Sequence, residues 1–317
     1  HCISSAASDV YKRQALHWFA KKGCDIAVLE VGMGGLHDAT NVIPTPAAAA
    51  VMSISLDHTA WLGDTVEQIA LEKSGIIKRN GRVVLYPEQQ YEVTEIIEGV
   101  CAERGAELRI PDIRQTQVWT EGVDGTDFVM GGIKLHTPFM GWHQINNAAV
   151  ALELVKVLRE QGFNISEENL AAGFKKAFIP ARMELLSERP LCLLDGGHNP
   201  GCALALRGVL ERYVPERKVA IMGMMADKDS AAALEILGPM FSKVITVRPD
   251  NPRSLSAEDL AVTAARFCPE AVPVGSCREA LDMALEDVSD REALIACGSF
   301  YLAGELRPLL LEKFPAR

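Results

Sequence analysis

The sequence lacks the features of several special protein classes. Its eight cysteines include no CxxC pair, and without a regular cysteine framework a disulfide-stabilised secreted domain is not expected. No apolar run reaches the length of a membrane span, and no secretory signal pattern is present. Basic residues number 32 against 42 acidic ones, giving a net charge of −10, which argues against nucleic acid as a general partner. We therefore expect a reduced protein of the cytoplasm that binds neither membranes nor nucleic acid.

What the sequence does contain is enough apolar residues for a sizeable core. Of its 317 residues, 48% are hydrophobic and 23% are charged. That composition is typical of folded globular proteins, and the length allows two domains. Cys24, Cys192 and Cys297 stand in apolar runs and are predicted to be buried thiols.

Alternating strand and helix patterns predict an α/β fold built from βαβ units with parallel sheets. Apolar runs predict strands over 25–31, 48–56, 82–86, 191–195, 218–222, 243–247 and 293–297. The Gly-Gly and Asp-Gly pairs within 118–135 predict hairpins. Helical patterns cover 15–22, 65–74, 91–104 and 144–161.

Two changes in amino-acid composition divide the chain. Residues 1–14 resemble translated sequencing-adapter sequence and are interpreted as a non-native leader, so the native protein is expected to begin earlier. Composition shifts again at 178–182, where we predict a linker. The predicted domains are therefore 15–180 and 181–317.

The segment 26–35 is the most informative part of the chain. An apolar run ends in Glu30 and then breaks into glycines, a pattern that predicts a buried parallel strand followed by a sharp turn. Ligands of open α/β sheets bind outside the carboxyl ends of the strands. A buried acid is costly unless it is paired or binds a metal, so Glu30 is a candidate ligand.

His58 and Lys73 follow in the same βαβ segment. His58 ends the next predicted strand, and Lys73 ends the helix after it. Adjacent parallel strands would place Glu30 and His58 on one sheet edge, where a carboxylate and an imidazole suit a divalent ion that serves a nucleotide. The alternatives are a salt-bridged core acid, a helix-capping histidine and a solvated lysine. Asp57 would cap the following turn or orient His58. Lys73 could hold phosphate or, if desolvated, react with carbon dioxide.

Nine short segments, in this order, resemble the folylpolyglutamate synthase/dihydrofolate synthase family of the Mur ligase superfamily. They are LEVGMGG (29–35), DATN (38–41), LDHT (56–59), LGDT (62–65), EKSGIIK (72–78), GWHQINNA (141–148), DGGHNP (195–200), DKD (227–229, after Gly223) and GSFY (298–301). The resemblance runs from about residue 15 to the C-terminus. It implies a Mur-ligase-like fold, with a partial P-loop-type ATPase domain over 15–180 and a Rossmann-like C-terminal ligase domain over 181–317.

The same resemblance implies an ATP-dependent acid–amino-acid ligase of folate biosynthesis and one-carbon metabolism. L-glutamate would be added to a folate or dihydropteroate carboxylate through an acyl phosphate, by a monomer that uses ATP and Mg²⁺. Glu30 and His58 correspond to magnesium ligands, and Lys73 to a carbamylated lysine that holds a second magnesium. The residues that correspond to ATP contacts are Asn147, Arg182 and Asp195, with His198 beside them. The residues that fall where the family contacts its pterin-bearing substrate are His37, Asp38 and Ala39.

Two departures from the family pattern stand out. Leu36-His37 occupies the place of an arginine that often follows the glycine pair. The sequence also contains no Gly-Lys dipeptide, so it has no Walker A motif. In the family that motif lies upstream of the Glu30 strand. We therefore expect the 317-residue chain to be inactive by itself.

Two other functions are weighed against the folate ligase. A cell-wall Mur-type amino-acid ligase shares the fold and metal chemistry, but the forms of the segments 38–41 and 195–200 favour the folate family. A dinucleotide-binding oxidoreductase is suggested by the glycines at 32–35. However, His37 stands where the motif needs a third glycine.

Overall fold

The chain forms two compact units. The computed structural model describes residues 2–56, 59–214 and 217–315. The first unit comprises the residues up to 114 together with 146–165, and the second comprises 115–145 and the residues from 166 onward. The linker predicted at 178–182 therefore lies inside the second unit, because the segment 115–145 belongs with the C-terminal part of the chain.

The first unit is a small parallel sheet with helices on both faces. Its strands, in the order β1-β2-β3, are β1 (Ala49–Val51), β2 (Arg82–Leu85) and β3 (Glu107–Arg109). Its helices are α1 (Cys2–Lys22), a 3₁₀ turn (Ala39–Val42), α2 (Thr59–Leu62), α3 (Val66–Ser74), α4 (Tyr91–Arg104) and most of α5 (Trp142–Glu160). Val83 and Leu85 pack with α3 and α4, whereas Val84 packs with α5. This alternation follows the two-residue period of a strand.

The second unit contains two sheets. An antiparallel sheet is formed by β4 (Gln117–Gly122), β5 (Gly125–Met130) and β6 (Ile133–Thr137), followed later by α6 (Glu167–Lys175). The larger sheet has the order β11-β10-β9-β12-β8-β7, in which only the edge strand β7 is antiparallel. Its strands are β7 (Glu184–Glu188), β8 (Leu191–Leu194), β9 (Lys218–Met222), β10 (Lys243–Val247), β11 (Ala271–Val274) and β12 (Ala293–Cys297).

Helices cover both faces of the larger sheet. They are α7 (Pro200–Tyr213), α8 (Ser230–Leu237), α9 (Ala257–Ala264), α10 (Cys277–Asp287) and α11 (Phe300–Lys313), with a 3₁₀ turn at Gly238–Met240. Leu193 faces the core formed with α7, α8 and α9, whereas Leu194 faces the core formed with α10 and α11. A doubly wound parallel sheet results, in which the carboxyl ends of the strands form one edge.

The strand predicted over 25–31 is absent, and that prediction is wrong. These residues are assigned to no helix or strand, Val28 is 93% exposed, and Glu30 is exposed rather than buried. A parallel strand exists only where a neighbouring strand supplies its hydrogen bonds. Residues 25–31 pair with no strand of the described chain. The apolar run therefore remains an extended segment that leads into the glycines.

The other elements occur where the sequence predicts them. The helices predicted over 65–74, 91–104 and 144–161 and the hairpins within 118–135 are confirmed. The remaining predicted strands are also found, but only 49–51 of the strand predicted over 48–56 forms one. The helix predicted over 15–22 is the end of α1, which begins within the segment interpreted as a leader. Cys192 and Cys297 are buried as predicted, but Cys24 is exposed, because it lies at the start of the unpaired extended segment. No helix among the described residues is long and apolar enough to cross a membrane.

Candidate functional site

In the first unit, the glycine-rich loop packs backbone to backbone against the end of α3. A Cβ atom placed on Gly35 would lie 2.8 Å from the carbonyl oxygens of Glu72 and Lys73, and one placed on Gly75 would lie 2.3 Å from the Cα of Leu36. The Leu36 N–H donates to the Glu72 carbonyl oxygen at 2.9 Å. Since real Cβ contacts are not this short, only glycine allows the approach. We call this the glycine contact: Gly35 against Glu72 and Lys73, and Gly75 against Leu36.

Asp38 fixes the loop from the other side. Its carboxylate, 5% exposed, accepts hydrogen bonds from the backbone N–H groups of Gly32 (3.1 Å), Met33 (3.2 Å) and Thr40 (2.8 Å) and from Lys12 Nζ (3.1 Å). Burial raises the pKa of Asp38, but these hydrogen bonds outweigh it and bring the pKa to about 2. Asp38 also caps the 3₁₀ turn that follows. Its carboxylate is therefore ionised and engaged within the loop.

The three predicted substrate residues have different environments. The side chain of His37 is 81% exposed, with Nδ1 3.2 Å from Glu72 Oε1. Ala39 is half-buried and begins the 3₁₀ turn. Asp38 is engaged as described above, so among the three the His37 ring is the polar group most open to a ligand.

Two of the three predicted magnesium ligands, Glu30 and Lys73, lie within the described residues. Lys73 lies in the last turn of α3, half-buried and in contact with Gly35. Glu30 lies on the extended segment before the same loop, with its side chain exposed. His58 and its neighbour Asp57 lie outside the described residues. Among the residues that the structure describes, no group of three or more His, Cys, Asp and Glu side chains could hold a metal ion.

In the second unit, Asp195 organises the turn after β8. Its Oδ2 accepts the Met183 N–H at 2.9 Å, and its Oδ1 accepts the Gly197 N–H at 2.7 Å. Burial raises the pKa of Asp195, whereas these bonds and the charges of Arg182 and His198 oppose the rise. A buried carboxylate at the carboxyl edge of a parallel sheet is an unusual arrangement, and it is typical of a functional site.

Aromatic and cationic side chains surround this turn. The Arg182 guanidinium carbon lies 4.8 Å from the centre of the Phe300 ring, a cation–π contact. The His198 ring meets the same Phe300 ring edge to face at 6.1 Å, and its Nδ1 lies 3.1 Å from the Gly196 carbonyl oxygen. Burial, followed by the charge of Arg182, lowers the pKa of His143. The predicted residues Arg182, Asp195 and His198 thus form one cluster.

Sequence reasoning missed two residues of the second unit around Arg182 and one buried polar residue of the first unit. Phe300 belongs to a quoted motif but received no role, and Glu184, at the start of β7, was not considered. The third is Asn146, which is 1% exposed and donates to Tyr86 Oη at 3.1 Å, while its Oδ1 accepts no hydrogen bond from the described residues. The predicted Asn147 beside it is half-buried. Helical spacing from Asn146 to the apolar residues at 149 and 150 was the available signal.

The sequence matches two family models in order. The Mur ligase middle domain matches residues 5–155, and the "Mur ligase, glutamate ligase domain" matches residues 181–300. The folylpolyglutamate synthase of Lacticaseibacillus casei is 33% identical over 310 residues, which cover 93% of this chain and 69% of that protein. The dihydrofolate synthase/folylpolyglutamate synthase of Mycobacterium tuberculosis is 32% identical, with 95% of this chain and 68% of that protein covered.

Solved structures show the same similarity. Mycobacterium tuberculosis folylpolyglutamate synthase complexed with ADP and AMPPCP superposes with a TM-score of 0.85 at 30% identity, over 95% of this chain and 72% of that chain. Escherichia coli FolC in complex with DHPP and ADP gives a TM-score of 0.78 at 29% identity, over 91% of this chain and 67% of that chain.

Proposed function

The chain belongs to the folylpolyglutamate synthase/dihydrofolate synthase family of Mur ligases, and we propose that it functions in this family's reaction, the ATP-dependent ligation of L-glutamate to a folate or dihydropteroate carboxylate, together with a Walker A segment that its own sequence lacks. One observation carries the proposal: relatives with these names are 31–33% identical over more than 90% of the chain. The prediction of the family from short segments is thereby confirmed. A cell-wall ligase and a dinucleotide-binding oxidoreductase are both disfavoured.

Arg182, Asp195 and His198 are proposed to bind the nucleotide, together with Asn147. Three observations support this assignment. The guanidinium of Arg182 rests on an aromatic ring beside a buried carboxylate, a setting in which arginine recognises phosphate. The cluster lies after β8, at the carboxyl edge of the doubly wound sheet, where such folds bind ligands. Similar proteins have also been crystallised with ADP and AMPPCP.

Glu30, His58 and Lys73 are proposed to hold magnesium, with Lys73 as its carbamate. Oxygen ligands suit Mg²⁺, and the exposed Glu30 carboxylate is accessible to an ion. A magnesium ion would offset the charge of the phosphoryl group that is transferred. The glycine contact packs the Lys73 backbone against the loop that follows Glu30, which supports the assignment of both residues to one site.

The folate or pteroate substrate is proposed to contact His37 and Ala39 from the loop that Asp38 holds. Leu36-His37 occupies the place where the family often has an arginine, and the His37 side chain is exposed. We expect a cytoplasmic, monomeric enzyme that reaches the amide through an acyl phosphate, which the glutamate amine attacks.

Incorporation of labelled L-glutamate by the natural enzyme that contains residues 15–317 tests the proposal. Product should form only with ATP and with dihydropteroate or a reduced folate. Arg182→Ala should lower kcat/KM by about 100-fold, as expected for a lost contact to a transferred phosphoryl group. Arg207→Ala is the matched control, because Arg207 pairs with Glu211 on the surface of α7. Glutamate ligation to a cell-wall precursor instead, or nicotinamide-dependent redox activity, would overturn the proposal.

A further inference from the structure

The backbone around Arg182 has an unusual conformation. Ala181 and Met183 both adopt the left-handed region, with φ of 55° and 46°. Residues with a side chain rarely adopt it, and they do so where the surrounding structure imposes it. Arg182 thus lies between two strained residues in the chain. The side chains that bind the backbone of these two residues therefore affect the direction of the Arg182 side chain.

Two carboxylates hold these two residues. Glu184 Oε2 accepts the Ala181 N–H at 2.9 Å, and Asp195 Oδ2 accepts the Met183 N–H at 2.9 Å. Glu184 pairs with Leu194 in the β7–β8 ladder, so the same hairpin places both carboxylates. The two bonds restrain the backbone on each side of Arg182.

Glu184 is itself firmly held. Its side chain is 7% exposed and forms a bidentate ion pair with Arg307 of α11, with N–O distances of 2.8–3.1 Å. A buried ion pair contributes little net stability relative to an apolar pair, but it fixes geometry. The Arg307 fork leaves Glu184 Oε2 in place to accept the Ala181 N–H.

We propose that Glu184, anchored by Arg307, is a positioning residue that sets the Arg182 guanidinium against the Phe300 ring. The functional consequence of this proposal rests on the proposed function, because it requires that Arg182 binds the nucleotide. The positioning of Arg182 by Glu184 does not depend on what Arg182 binds. A purely structural ion pair between β7 and α11 would not require the bond to the Ala181 N–H. That bond is made by Ala181, a left-handed residue directly before Arg182, so it favours a role of Glu184 in positioning Arg182.

The experiment measures the place of Arg182 by NMR in the folded chain. Two signals report on it: the ring-current shift of the Arg182 side-chain resonances over Phe300, and the titration midpoint of His143, which the Arg182 charge lowers. In Glu184→Ala, the Arg182 shift should diminish and the His143 midpoint should rise, in the same direction as in Arg182→Ala. The double variant should show no larger rise in the midpoint than Arg182→Ala alone.

Glu292→Ala is the matched control. Glu292 also accepts a backbone N–H, from Ser289 at 2.8 Å, and pairs with an arginine, Arg217. This variant should lose comparable stability without moving either signal. If Glu184→Ala does not fold, Glu184→Leu replaces it, since an apolar side chain of similar size neither accepts the Ala181 N–H nor pairs with Arg307.

Unchanged Arg182 and His143 signals in the folded Glu184 variant would overturn the positioning role. The functional premise fails separately: if Arg182→Ala leaves the ATP KM and kcat of the natural protein unchanged, Arg182 is no nucleotide ligand, whatever Glu184 does. If both hold, Glu184→Ala should raise the ATP KM in proportion to the lost Arg182 shift, whereas Glu292→Ala should not.

Discussion

Replacing Gly75 by alanine should destabilise the first unit, although alanine favours the right-handed helical backbone that Gly75 adopts. Gly75 has right-handed helical angles, with φ −55° and ψ −24°, so its backbone conformation suits alanine. By intrinsic propensity the substitution would gain up to about 1 kcal/mol. The glycine contact opposes this gain, because the new Cβ would lie 2.3 Å from the Leu36 Cα and 2.5 Å from its nitrogen.

The expected cost follows from that clash. Ordinary contact begins at 3.4 Å, so the loop has to move by about 1 Å, and overpacking of this kind costs about 1–3 kcal/mol. The shift also weakens the hydrogen bond from the Leu36 N–H to Glu72, about 1 kcal/mol more. After the propensity gain is subtracted, we expect a net loss of about 2 kcal/mol, which corresponds to a Tm lower by roughly 6 °C.

Urea unfolding and amide hydrogen exchange together test this. The exchange rate of the Leu36 amide should rise in Gly75→Ala, because its bond to Glu72 is the one displaced. Gly99→Ala is the matched control: Gly99 lies exposed within α4, and a Cβ there would have no atom within 4 Å. That variant should gain about 0.5–1 kcal/mol. The reasoning is refuted if both variants are stabilised alike, since the close approach would then be absent.

Three further predictions concern ionisable side chains. Asp38→Asn should lower the free energy of unfolding by about 2 kcal/mol at pH 7. Because hydrogen bonds outweigh burial and hold the Asp38 pKa at about 2, this difference from wild type in urea unfolding should disappear as the pH falls from 3.8 to 2. A difference that stays constant would contradict the assignment. Burial raises the pKa of Asp195 above 3.8, so the stability that its neutral form contributes should be lost as the pH rises from 3.8 through that pKa. The difference in unfolding free energy between wild type and Asp195→Asn should change over that range, and a difference that stays constant would speak against a buried carboxylate. In folded protein at neutral pH, iodoacetamide should modify the exposed Cys24. Cys192, whose pKa is raised by burial to about 12, should react only on unfolding. Early labelling of Cys192, detected by mass spectrometry, would contradict its burial.

Elements with a clear period were predictable from sequence, and the unpaired segment was not. The helix at 91–104 and the strand at 293–297 each carry a local pattern that also satisfies the tertiary core. The run at 25–31 carries the pattern of a strand too. However, a strand also needs a neighbouring strand to pair with, and the local pattern gives no information about that neighbour. Among the described residues, no strand pairs with 25–31. Local periodicity therefore predicted the apolar character of the run but not its burial.

The candidate site divides in the same way. Asp195 was found because an acid that ends an apolar run is visible in the sequence. Glu184 was not found, because its role depends on a hairpin partner and on an arginine more than 100 residues away. Nor could the sequence show that the Asp38 carboxylate faces its own loop, since hydrogen-bond direction is set by backbone geometry. Residue types were thus predictable, but their partners were not.

The glycine contact separates positions that are fixed from positions that are free to vary. Gly35 and Gly75 admit no side chain. Leu36 and His37, which directly follow Gly35, are exposed: Leu36 by 50% and the His37 side chain by 81%. For the proposed substrate contact, natural or laboratory evolution therefore has two adjacent positions that can change while the glycine contact is kept. The departure from arginine at this place in the present chain is one such change, made where the fold tolerates it.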